Sequence, residues 1–130
     1  MTGPLEALVR QLRAEDTPIS PHVVEPPPEP KTDLPDEYAS VVESVREGYL
    51  LHYDVPRLLK GHDDDLALLA GDYLYALGIE RLATLGDTEA VLVLADLISA
   101  SAQLHTEGKG DELPDRWRNA ERAIGKDPPR

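Results

Sequence analysis

The chain has 130 residues, of which 13 are Lys or Arg and 25 are Asp or Glu, giving a formal charge of -12. Such an excess of anions leaves no general attraction for nucleic acid or for an anionic membrane surface, because both are held first by neutralising phosphates. The absence of cysteine excludes disulfides, thiolate metal sites and thiol nucleophiles, and fits a cytoplasmic location.

Phe is also absent and Trp occurs once, so a core must be built from Leu, Ala, Val, Ile and a few Tyr, a set that favours helices over sheets. The opening MTGPLEALVRQLRAED is amphipathic, with acidic residues and no continuous apolar core, and does not read as a secretory signal. Within it Leu5, Leu8, Val9 and Leu12 follow i, i+3, i+4, i+7, the pattern of a short helix ending near Ala14 inside a segment 1–16. Residues 17–35, TPISPHVVEPPPEPKTDLP, hold a large share of the 12 prolines and are expected to be extended, with polyproline II character at Pro26, Pro27 and Pro28. Two roles compete for this stretch: a solvated tether, or an arm laid on a partner and anchored by Ile19, Val23 and Val24.

A helix is predicted from Asp36, with Asp36 and Glu37 suited to the positive end of its dipole and Tyr38, Val41, Val42, Val45 and Tyr49 on its apolar side. Pro56 ends or interrupts it, and residues 55–59 are expected to add one turn. The run Asp63, Asp64, Asp65 suits the N-cap and first turn of the next helix, which should reach about Leu85. Gly71 and Gly78, seven apart on one side of that helix, would let another helix approach closely. Gly86 is a natural C-terminal cap and Asp87 an N-cap, so the following helix, to about His105, should lie antiparallel to its neighbour. That helix opens with the apolar run AVLVLADLI, and the best membrane candidate, residues 90–104, is shorter than the ~20 residues of a span and contains Asp96 and Gln103. After Gly108 and Gly110 a last helix over 113–124 places Trp117, Ala120 and Ile124 on one face, followed by a frayed tail, 126–130.

The expected fold is therefore all-α: a small bundle of about four helices over residues 36–125, preceded by a short N-terminal helix and a Pro-rich extended arm. Its hairpin over residues 66–104 presents about a dozen Leu, Ile and Val side chains, each worth roughly 1.5–3 kcal/mol when buried. The flanking helices cover only part of that surface, which argues for a protein partner or self-association over a self-contained monomer.

Chemistry-bearing constellations are few. Asp63, Asp64, Asp65 and Asp72 are the residues from which Mg²⁺ and a diphosphate would be held, yet Asp65 and Asp72 sit about 10 Å apart along one helix, and capping is the stronger reading of the run. The four histidines, His22, His52, His62 and His105, lack ligand spacing. No phosphate-binding loop, dinucleotide fingerprint or nucleophile elbow occurs, so neither a cofactor nor a catalytic residue is assigned.

The segment LALLAGDYLYALGIERLATLGDTEAVLVLADLISASAQL, with Ala70, Gly71, Asp72, Tyr73, Leu74, Ala76, Glu80, Leu82, Ala83, Leu85, Gly86 and Asp87, resembles the helix pair after the first aspartate-rich motif of trans-isoprenyl diphosphate synthases. It is similar in kind to the small non-catalytic subunit of heteromeric heptaprenyl diphosphate synthases. Catalytic members carry DDxxD twice; here Asp63 and Asp64 imitate the start of the first motif, but Ala67 stands where its last aspartate would be, and the second motif is missing. The resemblance thus implies a non-catalytic accessory subunit of an isoprenoid-type synthase that contacts a larger helical partner through Gly71, Tyr73, Leu74, Gly78, Val91, Leu94 and Ile98. The alternative is a structural subunit of another multiprotein or membrane-associated complex, docking through the Pro-rich arm and the 66–104 hairpin.

Overall fold

The structure, a computed structural model, describes residues 2–126. It is all-helical, with no strand among these residues: α1 spans Pro4–Ala14, α2 Asp36–Tyr53, α3 Asp64–Leu85, α4 Thr88–Thr106 and α5 Leu113–Lys126, with single 3₁₀ turns at Ser20–His22 and Gly110–Glu112. No helix among them is long and apolar enough to cross a membrane. Of the expected frayed tail, everything beyond Lys126 lies outside the described residues. The chain divides into two compact units, Met1–Gly78 and Ile79–Arg130, with the boundary inside α3.

In the first unit Leu5, Leu8, Val9 and Leu12 bury the predicted face of α1 against Ile19, Leu51, Leu58, Leu59, Ala70 and Leu74. The Pro-rich segment belongs to this packing. Ile19 is buried in the chain's own core, and Val23 pairs with Leu59 in an isolated antiparallel bridge. The Val24 N–H donates to the Leu58 carbonyl at 2.9 Å and the Lys60 N–H to the His22 carbonyl at 2.9 Å. Further along, the Glu29 carboxylate accepts from the backbone N–H groups of Leu5 (2.9 Å) and Glu6 (3.1 Å). It thereby caps α1, whose own N-cap, Gly3, has no side chain to do so. Glu29→Ala is expected to lower the unfolding free energy by about 1 kcal/mol, read as a shift in the urea midpoint without a change in slope.

Residues 55–59 do not add the helical turn expected of them. Pro56 carries no N–H, and the next two N–H groups, those of Arg57 and Leu58, are taken by the Glu47 carboxylate at 2.8 and 2.9 Å, leaving nothing to propagate a helix. α3 starts as its sequence predicts: the Asp63 carboxylate accepts from the Leu66 N–H at 2.8 Å.

In the second unit the end of α3 closes in a Schellman motif. Gly86 has φ 78°, its N–H donates to the Ala83 carbonyl (3.0 Å), and the Asp87 N–H donates to that of Leu82 (3.3 Å). Asp87 then caps α4 through the Ala90 N–H at 3.0 Å. α4 ends in the same way at Gly108, and α5 returns with Leu113, Trp117, Ala120 and Ile124 buried, as are Leu94, Leu97 and Leu104 of α4.

Candidate functional site

Two places in the first unit concentrate polar groups, the first of them not foreseen, and each unit leaves apolar side chains exposed. The first is a carboxylate pair and a guanidinium inside the first unit. Glu43 and Glu47, one turn apart on α2, are 4% and 0% exposed. Arg57 lies across them, Nε donating to Glu47 Oε1 at 2.9 Å and Nη1 to Glu43 Oε1 at 2.8 Å. Arg46 takes the other Glu43 oxygen at 2.9 Å, and the other Glu47 oxygen receives the two N–H groups of Arg57 and Leu58. Burial works against the Arg57 charge, but the hydrogen bonds and charges of the two glutamates outweigh it and raise its pKa above the ordinary value. With every carboxylate oxygen engaged, this cluster has no free acid or base to offer a substrate; it fastens the 54–60 segment to α2. The available signal was spacing: Glu43, Glu47 and Leu51 form one i, i+4 row, so two carboxylates continue a line that ends in a core leucine.

The second place is the antiparallel seam between α2 and the first-unit part of α3. The close approach that Gly71 and Gly78 permit is taken by α2 of the same chain. A Cβ at Gly78 would lie 2.6 Å from Val45 Cγ2, and one at Gly71 would run into the His52 ring. Gly48, on the α2 side, faces the Gly71 carbonyl and the Tyr75 ring, and Ser44 Oγ donates to the Leu74 carbonyl at 2.8 Å. His52 Nε2 lies 3.2 Å from both the Leu68 carbonyl and Asp72 Oδ1. The His52 ring meets Tyr75 edge-on at 5.1 Å, beside the Tyr49–Tyr53 pair at 5.2 Å. The Tyr75 hydroxyl is buried with no hydrogen-bond partner, and burial, reinforced by Tyr53, Tyr49 and Asp72, pushes its pKa well above the usual phenol value of 10.0. A phenol raised in the folded state contributes stability that is complete below pH 10.0 and is lost as the pH climbs past it. Tyr75→Phe is therefore expected to be about 1 kcal/mol more stable at neutral pH, since an unpaired buried hydroxyl is removed, and to lose less stability at alkaline pH, both read from urea unfolding.

The remaining feature is a set of exposed apolar side chains, Val55, Leu68 and Leu69 in the first unit and, separately, Leu92 in the second. Leu68, Leu69 and Leu92 are 54%, 58% and 60% exposed. Of the residues that the sequence assigned to partner contact, Gly71, Leu74, Gly78 and Leu94 are buried within the chain, whereas Tyr73, Val91 and Ile98 are half-buried. The Tyr73 hydroxyl donates to Glu15 Oε2 at 2.6 Å. Leu74 and Leu94 face inward because they fall on the sides of their helices that meet the chain's own apolar residues, a choice that helices apolar around most of their girth do not reveal in sequence. The large apolar side chains left exposed are Val55, Leu68 and Leu69 in the first unit and Leu92 in the second.

The aspartates do not converge. Asp63 is used as a cap, Asp64 and Asp65 are exposed in the first turn of α3, and Asp72 turns to His52. Among the described residues no group of three or more His, Cys, Asp or Glu side chains is arranged to hold a metal ion. In the second unit a shallow groove between α4 and α5 is lined by Val93, Asp96, Leu97, Arg116 and Asn119, a mixture of charges without a dominant sign.

Comparison of the chain with protein-family models, curated proteins and solved structures finds no match.

Proposed function

We propose that this chain is a non-catalytic helical accessory subunit that docks on a larger helical protein, in the manner implied by its resemblance to the small subunit of a heteromeric polyprenyl diphosphate synthase. The observation that carries the reading is the exposure of the neighbouring Leu68 and Leu69 on α3, one of the two most apolar helices of the molecule. Two large apolar side chains side by side, each more than half open, offer a partner's apolar side chains area to bury. The saturated hydrogen bonding of Glu43, Glu47 and Arg57 supports a structural over a catalytic use of the only buried ionic cluster found among the described residues.

The experiment is isolation of the tagged chain from its native cells under mild conditions, with mass spectrometry of what accompanies it and sedimentation of the product. A larger helical protein in stoichiometric amount is the expected result. A chain that returns alone and sediments as a monomer would end this reading. The same experiment distinguishes a synthase partner from some other assembly in which the chain is a structural subunit, since the partner's own sequence reports its class.

A further inference from the structure

Residues 64–76 present to solvent a row made of Asp65, Leu68, Leu69, Asp72 and Ala76, at the spacing of one helical face, with Asp64 beside it. Leu68 and Leu69 are 54% and 58% exposed, and Asp72 is 74% exposed despite its contact with His52. No Lys or Arg occurs between Lys60 and Arg81, so the two leucines are bordered along their helix by carboxylates alone. Charge then selects the occupant. A second copy of a chain with formal charge -12, an anionic lipid surface and a nucleic acid would each bring like charge against Asp64, Asp65 and Asp72. A helix bearing leucines on one side and Lys or Arg at its borders would bury the leucine pair and pair its cations with the aspartates, while Ala76 lets its backbone come near.

We propose that this face of α3 is the docking surface for a cationic amphipathic helix of a partner protein. The proposal rests on the accessory-subunit reading above and adds the chemistry of the partner to it.

The test titrates the isotopically labelled full chain with a synthetic peptide of about 18 residues, long enough for five turns, carrying Leu at i, i+3, i+4, i+7 and Lys elsewhere. A matched peptide with Glu in place of Lys is the control. The Lys peptide is expected to shift the backbone amides of residues 64–76 before others, and the Glu peptide to shift none. L68S/L69S, whose fold is checked by an unchanged urea midpoint, should weaken the Lys peptide at least about tenfold. D64N/D65N/D72N should weaken it several-fold and flatten its dependence on salt. Equal binding to L68S/L69S, shifts centred elsewhere, or no binding of the Lys peptide would overturn the proposal. Isolation from native cells keeps the two readings apart. If L68S/L69S brings down the same partner as the unaltered chain, this face is wrong and the accessory-subunit reading stands; if the unaltered chain brings down nothing, both fall.

Discussion

Glu47→Ala is expected to cost about 3–5 kcal/mol of folding free energy, the largest effect of any single substitution considered. The side chain is 0% exposed and its two oxygens satisfy three donors, Arg57 Nε and the backbone N–H groups of Arg57 and Leu58. Truncation strands all three in a place that water reaches poorly and leaves the guanidinium with Glu43 as its remaining carboxylate partner. The loss should also spread. Leu58 accepts from Val24, so once the Leu58 backbone is free, the Pro-rich segment loses its bridge to the rest of the unit. Urea unfolding measures the first effect, and limited proteolysis within residues 17–35 measures the second. Glu47→Gln keeps an acceptor for the backbone donors but not the charge, so its cost should be roughly half. An Ala variant with the wild-type midpoint would show that the carboxylate is dispensable.

Gly48→Ala is expected to lower stability by about 1 kcal/mol net, against the sign that helix propensity alone would give. Replacing a mid-helix glycine by alanine is ordinarily worth about 1 kcal/mol in favour of the helix. Here the new Cβ would lie 2.8 Å from the Gly71 carbonyl oxygen and 2.8 Å from Tyr75 Cδ1. A ring can turn, but a carbonyl inside the neighbouring helix cannot yield without moving that helix, and overpacking of this kind costs about 1–3 kcal/mol. The propensity gain offsets only part of it. Gly86→Ala tests a different physics: no atom lies within 4 Å of its Cβ position, so any loss there comes from the φ of 78° alone. Comparing urea midpoints separates the two causes. A stabilised Gly48→Ala would mean that the two helices are farther apart than described.

Local rules carried the helices. The i, i+3, i+4, i+7 row of α1, the Asp63 and Asp87 caps and the Gly86 terminus are each decided within a few residues, and the structure places all of them as the sequence reads. What lay beyond the sequence was pairing over distance. Glu29 caps a helix 24 residues before it, and Arg57 reaches back 14 residues to Glu43; no local pattern joins such residues. Where the Pro-rich segment lies was hidden for the same reason. Proline density forbids regular hydrogen bonding, which suggests a tether, yet extended backbone can still bury Ile19 and offer Val24 N–H to a neighbouring segment. The outward-facing residues were equally hidden. On α3 and α4 nearly every side carries an apolar residue, so periodicity could not say that Leu74 goes inward while Leu68 and Leu69 stay out.

The way the first thirty residues fold back on the molecule bears on how it can be shortened. A truncated chain starting at residue 36 would look tidy on paper, a set of helices freed from a proline-laden leader. It would instead uncover Leu51, Leu58, Leu59 and Leu74 at once, the side chains against which Leu5, Leu8, Leu12 and Ile19 rest. Such a fragment would be greasier than its parent and prone to clump, and any stickiness it displayed would report the missing lid of its own core rather than an appetite for a partner.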